Sequence, residues 1–213
     1  MKRLFLLLAL ALLSTTMLSA QSFKELKRAA KMGDAEAQYD LGNCYYYGEG
    51  VKQDYGKAIK WWTKVAEQDY PLAMCAIAMC YYEGVGVEQD YEEAVKWFRM
   101  SAERGFMEAQ HQLGNCYISG EGVPASESLA ALWWYNAAVN GYAPSQLLIG
   151  ICYEQGVGVE QDYEEAVRWY LLAAEQGNAE AQNNLGACYY NGQGVAEDEA
   201  EAVKWFRKAA EQG

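Results

Sequence analysis

The chain has 213 residues, 52% of them apolar, and sets 17 Lys and Arg against 29 Asp and Glu for a formal net charge of −12. Such acidity repels phosphate backbones and anionic bilayers, which argues against nucleic acid or a membrane surface as the partner. One histidine and six cysteines with no CxxC pair leave no metal-ligand spacing to build on.

Residues 1–20 read as a secretory signal peptide. Lys2 and Arg3 lead, Leu4 to Leu13 is wholly apolar, and Ser19-Ala20 supplies small residues for cleavage. The apolar run is ten residues, short of the about 20 that span a bilayer. Leu18 fits the cleavage pattern less well than alanine, and an uncleaved N-terminal anchor is the other reading. Export predicts a periplasmic or secreted protein with no membrane contact after cleavage. Without Lys2 and Arg3 the balance is 15 basic against 29 acidic residues, a net of −14. Residues 21–32 form a predicted capping helix: Leu26 and Ala30 align with Phe98 and Ala102, and Lys24, Lys27, Arg28 and Lys31 make it polar.

From residue 33 the sequence repeats every 36 residues, as 33–68, 69–104, 105–140, 141–176 and 177–212. The stretch Gly84 to Val95 recurs unchanged as Gly156 to Val167, and looser copies fall midway. The aligned columns include Leu41, Ile77, Leu113, Ile149 and Leu185, and Trp61, Trp97, Trp133, Trp169 and Trp205. Fixed-period self-similarity is the mark of a stacked repeat array, one elongated domain.

In the first repeat, Ala37, Leu41, Cys44 and Tyr45 share one face of a helix predicted from Ala35 to Tyr47. Gly42 sits beside that face. Four of five repeats keep glycine there, Ala78 being the exception, although a helical glycine costs about 1 kcal/mol against alanine. The recurrence predicts close backbone approach by a neighbouring helix. Gly48 and Gly50 then break the helix with a positive-φ loop. A second helix starts at Asp54, an N-cap repeated as Asp90, Ser126, Asp162 and Asp198. Its stripe of Ala58, Trp61, Trp62, Val65 and Ala66 needs a partner face. Gly105, Gly141, Gly177 and Gly213 stop the equivalent helices, with Asp69 in the remaining copy.

Five cysteines, Cys44, Cys80, Cys116, Cys152 and Cys188, occupy one repeat position. Helices pack about 8–10 Å apart, whereas a disulfide needs Cα atoms within about 7 Å. Cys75 lies five residues before Cys80 on the same helix and points away from it. All six therefore read as free, small, buried core residues.

The motif Ala179, Ala181-Gln182, Leu185-Gly186, Tyr189, Gly192, Gly194-Val195, Asp198, Ala202, Trp205, Ala209-Ala210, Gly213 resembles the Sel-one-like repeat (SLR), a relative of the tetratricopeptide repeat. The resemblance covers nearly all of the chain after residue 20. It implies an all-α fold: a right-handed α/α superhelical solenoid of five helix-turn-helix repeats, binding other proteins or peptides without a cofactor. Such proteins often serve as adaptors in bacterial envelope or secretion processes. Some cysteine-rich exported members are described as β-lactamase-like, with a disulfide joining the two helices of each repeat. This chain departs from them, since the partner position is alanine (Ala66, Ala102, Ala138, Ala174, Ala210).

A β-lactamase-like hydrolase is the alternative from another class. The chain has no Ser-x-x-Lys, no Gly-x-Ser-x-Gly, no His-Glu-x-x-His and no P-loop. Its Gly-x-Gly pairs follow helices, unlike a dinucleotide fingerprint. The reading is therefore a non-enzymatic scaffold.

In SLR arrays the first helices line the concave face. The columns that vary there are candidates for partner contact: Tyr39, His111, Leu147 and Asn183 two residues before the Leu41 column; Asn43, Met79, Asn115 and Ile151 two after; Tyr46 and Tyr82 five after. Drift on a neutral surface is the bland account of that diversity. Repeats two and four also carry the more apolar first helix, so apolar patches alternate along the array. A third reading is self-association through the C-terminal end, which lacks a cap like residues 21–32.

Overall fold

The computed structural model describes residues 20–212; the signal-peptide reading of residues 1–20 lies outside all but the last of these, as does Gly213. Among the described residues there are eleven helices and no strand. The chain forms two compact units, one ending at Asp69 and one beginning at Tyr70.

The first unit holds α1 (Ala20–Lys31), α2 (Ala35–Tyr47) and α3 (Tyr55–Ala66). The second holds four helix pairs. Their first helices are α4 (Pro71–Glu83), α6 (Met107–Ser119), α8 (Ala143–Gln155) and α10 (Ala179–Asn191). Their second helices are α5 (Tyr91–Ala102), α7 (Glu127–Val139), α9 (Tyr163–Glu175) and α11 (Glu199–Ala210). The first residues of α2, α4, α6, α8 and α10 are each 36 apart, as are those of α3, α5, α7, α9 and α11.

Local chemistry fixes these boundaries. Asp54, Asp90, Ser126, Asp162 and Asp198 accept a hydrogen bond from the N–H three residues on, so every second helix starts on a side-chain cap. Each first helix ends on a left-handed glycine, Gly48, Gly84, Gly120, Gly156 or Gly192, whose N–H donates to the carbonyl of the preceding cysteine. The second glycine of each Gly-x-Gly loop has a different task. A Cβ on Gly122 or Gly194 would collide with the backbone carbonyl of Tyr91 or Tyr163. Within the second unit, the loops of repeats three, four and five thus rest directly on the start of the previous repeat's second helix.

The helical glycines refine the expectation of backbone approach: the atoms nearest an added Cβ belong to rings, although at Gly150 the Ala166 carbonyl oxygen also comes within 3.3 Å. An added Cβ on Gly42, Gly114, Gly150 or Gly186 would meet an aromatic ring twenty residues on: Trp62, Trp134, Tyr170 or Phe206. Glycine here is a socket for a ring on the partner helix. In repeat two the pair is Ala78 with Phe98, both buried. This aromatic column is more deeply buried in the first four repeats than the invariant Trp61 column beside it, of which Trp61, Trp97, Trp133 and Trp169 are only partly covered.

In repeats one, three, four and five a buried glutamine ties the first helix to the helix before it. Gln38, Gln110, Gln146 and Gln182 donate to the carbonyls of Ala30, Ala102, Ala138 and Ala174, at 2.9–3.1 Å. These carbonyls lie in last turns, where each accepts only from the glycine N–H three residues on, and the glutamine adds a second donor. Thirty residues further on, Gln68, Gln176 and Gln212 donate to the side-chain oxygens of Gln38, Gln146 and Gln182. Repeats two and three break the set: repeat two has Met74 and Arg104 at these places, and in repeat three Asn140 replaces the second glutamine and turns back to the Asn136 carbonyl, leaving Gln110 Oε1 buried without a partner.

All six cysteines are free and buried. Burial pushes Cys44, Cys152 and Cys188 up to about 11, and Cys80 and Cys116 up to about 12.

Candidate functional site

The candidate contact positions divide by burial. Tyr39, Tyr46 and Leu147 are buried and do not face outward. The Tyr39 carbonyl accepts from Trp62 Nε1, and the Tyr46 ring packs on Tyr55 and Trp62. Leu147 joins the core around Ala166 and Tyr170. These helices are covered on more than one side, so a residue off the main stripe still meets protein. Asn43, Met79, Tyr82, His111, Asn115 and Ile151 are half-buried, and Asn183 is exposed. Asn115 is occupied structurally, its Oδ1 accepting from Trp134 Nε1 at 3.1 Å. Tyr82 donates to Glu121 at 2.6 Å.

One group of polar side chains converges on α4, α6 and α8 of the second unit. The His111 Nδ1 lies 2.8 Å from Ser145 Oγ, and its ring meets Tyr142 edge-on at 5.2 Å. Ser145 stands where the other repeats have a buried alanine, Ala37, Ala73, Ala109 and Ala181, so a buried hydroxyl replaces the usual methyl beside the histidine. Burial depresses His111 to about 4, which leaves it neutral at pH 7. Tyr142 is only 6% exposed, and burial, helped by Glu108 and Cys75, raises its phenol. Burial also raises the Glu108 carboxyl. Glu108 Oε2 and the Tyr142 hydroxyl are both buried with no hydrogen-bond partner in the protein. Cys75, the third side of the group, is fully enclosed and its thiol is raised by burial and by Glu108.

The helix starts beside this group differ from those of α2 and α10. Phe106 and Tyr142 occupy N-cap positions without a capping hydrogen bond, whereas Asp34 and Asn178 cap α2 and α10 with side-chain oxygens. An aromatic ring at the cap can turn inward across the first-helix face. Sequence reading named His111 but missed Glu108, Tyr142 and Ser145. The available signal was the serine in an otherwise alanine column. Among the described residues no three His, Cys, Asp or Glu side chains are placed to hold a metal ion, and no helix is long and apolar enough to cross a membrane.

Stacked helix pairs with a 36-residue period and a ring-in-glycine socket define a protein of the α/α repeat class. The Sel1 repeat pattern matches residues 35–70, 71–106, 108–142, 143–178 and 179–213, and the chain belongs to the Sel1 repeat family. It is similar to c5321 of uropathogenic Escherichia coli, a protective antigen with an SLR fold, at 38% identity and a TM-score of 0.88, over 91% of this chain and 42% of that one. A Sel1 repeat protein from Oxalobacter formigenes is 31% identical with a TM-score of 0.82, over 91% and 85% of the respective chains. In Arabidopsis thaliana, HRD3A, an ERAD-associated E3 ubiquitin-protein ligase component, is 34% identical over 25% of this chain. The chain spans 8% of the length of the curated relatives it matches. The fold is therefore that of an SLR solenoid, a kind of scaffold typical of protein–protein interaction and generally non-catalytic.

Proposed function

We propose that this protein is an exported adaptor that binds a segment of another protein through the first-helix face of its second unit. The observation that carries the reading is the pair of unmet buried oxygens, Glu108 Oε2 and the Tyr142 hydroxyl, gathered with neutral His111. An unsatisfied buried polar group costs about 1–3 kcal/mol, so a partner that opens this face and supplies hydrogen bonds there recovers part of that cost. A carboxylate acceptor, a phenol that can accept as well as donate, and an acidic surface suit an ammonium group, a lysine side chain or a chain amino terminus. The basic lead and apolar run of residues 1–20 support export to the periplasm or beyond.

The test is affinity capture from envelope and culture fractions with residues 21–213 as bait, beside a second bait carrying Glu108→Gln and Tyr142→Phe. These isosteric changes remove the acceptor charge and the hydroxyl while keeping the volume. A protein held by the first bait and lost from the second is the expected result. Equal retention by both would place the contact elsewhere, and capture by neither would sink the adaptor reading. Fractionation of the chain with and without residues 1–20 tests export separately.

A second reading has its own observation. Val203 is 54% and Phe206 37% exposed, whereas their equivalents Val95, Phe98, Val167 and Tyr170 are buried. The α11 face thus presents apolar positions that earlier repeats cover, which fits self-association through that end. A solution mass that rises with concentration, and falls back in Val203→Lys, is the outcome this reading requires.

A further inference from the structure

The outer face of a second helix is charged in four of the five repeats. Glu93–Lys96, Glu165–Arg168 and Glu201–Lys204 form ion pairs one turn apart on α5, α9 and α11, and Lys57 and Lys60 take these places on α3. On α7 the same two positions are Leu129 and Leu132. The position filled by Glu67, Glu103, Glu175 and Glu211 is Val139, and α7 carries no Lys or Arg at all. These side chains are not hidden: Leu129 is 39%, Leu132 50%, Tyr135 41% and Val139 59% exposed. Glu127 is the only charge on the helix.

We propose that the outer face of α7 is a docking surface for a basic amphipathic helix of a partner protein, separate from the first-helix site. The spacing is that of a helix–helix seam. Leu129, Leu132, Asn136 and Val139 follow a 3-4-3 step, the pattern by which one helix lies along another, with one polar residue able to set register. Met100 on α5 and Leu172 on α9 stand at the position of Asn136 and are also exposed, which widens the apolar strip into the flanking repeats. Contiguous exposed apolar surface of this kind marks a contact site.

Charge selects the partner. Around the strip, Glu103 at the C-cap of α5, Glu127 on α7 and Glu164 and Glu175 on α9 are exposed. Lys96 and Arg168 are already paired with glutamates of their own helices. The rim therefore offers unneutralised carboxylates on a chain of net −12. A second copy of this chain would bring two acidic rims together, whereas a helix with lysines or arginines beside its apolar stripe meets opposite charge.

The probe is a fluorescently labelled helical peptide of about 18 residues with leucines at 3-4 spacing and lysines elsewhere, read by anisotropy against the full chain. The control variant is Leu129→Glu with Leu132→Lys. It installs the ion pair that repeats two and five carry naturally, so it folds, and it leaves the net charge unchanged. Non-specific attraction of a cationic peptide to an acidic protein is thus equal in both. The expected result is binding weakened about tenfold or more in the variant, a change that interface hot spots of this type produce. A peptide with glutamate in place of lysine should bind neither protein. Equal binding of the lysine peptide to both proteins, or to neither, overturns the proposal. So does a wild-type dimer by light scattering at about 100 µM that reverts to monomer in the variant, since a second copy then covers the face.

Discussion

Gly114→Ala is the substitution on which the packing account stands or falls. A Cβ at Gly114 would lie 2.5 Å from both Cδ1 and Nε1 of Trp134, a ring that is buried and whose Nε1 donates to Asn115. Two effects oppose. Alanine raises helix propensity by about 1 kcal/mol over glycine. Forcing an extra methyl into a filled core costs about 1–3 kcal/mol. The expected net is a loss of up to about 2 kcal/mol, because the ring has no free side to move toward. Repeat two shows the way out, since it pairs Ala78 with the smaller Phe98. In a Trp134→Phe background, Gly114→Ala should therefore be neutral or stabilising by up to about 1 kcal/mol. The assay is urea unfolding followed by far-UV circular dichroism on all four members of the cycle, giving a coupling free energy of about 1–3 kcal/mol. Equal destabilisation by Gly114→Ala in both backgrounds would refute the socket, and leave backbone approach as the reason for the glycine.

Gly122→Ala should destabilise by more than about 2 kcal/mol, combining left-handed strain with a collision against the Tyr91 carbonyl, whereas Gly105→Ala, at φ +83 with open space around it, should cost only about 1 kcal/mol; the difference between their urea midpoints checks this. Asn140→Gln should stabilise by about 1 kcal/mol, by restoring a donor for Gln110 Oε1, and a fall in the thermal midpoint would contradict it. His111 is depressed to about 4 in the fold, so the unfolded chain takes up its proton first as pH drops. The stability it contributes is complete above about 6.5 and is lost toward 4, on the order of 2 kcal/mol by pH 5, relative to a His111→Gln control measured at both pH values. The cysteine thiols, all buried and raised by that burial, should resist iodoacetamide in the native state at pH 8 while all six react in denaturant.

The helices were legible because repeats multiply weak signals. A single Asp54 is an ambiguous cap, but acids or serine at the same place in five repeats fix the start of every second helix. Gly48 and its four equivalents fix the stops in the same way. What the columns hid were contacts made by rotation about the helix axis. Invariance drew the eye to the Trp61 column, yet the ring filling the glycine socket is the next residue, which changes among Trp, Phe and Tyr and so reads as variable. Variability equally misplaced Tyr39, Tyr46 and Leu147, because a position can change identity while staying buried. The glutamine ladder was readable in principle as two glutamines 30 residues apart, but only the hydrogen-bond demand of a helix end explains why they recur. The Glu108–Tyr142 group depends on three separate helices and left no trace except Ser145.

The side-chain hydrogen bonds between repeats span 8 to 39 residues along the chain, from Gln146–Ala138 through His111–Ser145 to Tyr82–Glu121. Such a protein has a low contact order, so each pair of helices can close as soon as its neighbour exists, without waiting for distant sequence. Folding can then run along the chain as it emerges, and each new repeat meets the same seat of glycine loop, glutamine and ring. The length of the array is for the same reason an adjustable quantity. Adding or removing 36 residues in register creates no unfamiliar interface, and evolution can change how many partners the scaffold holds without reinventing how it folds.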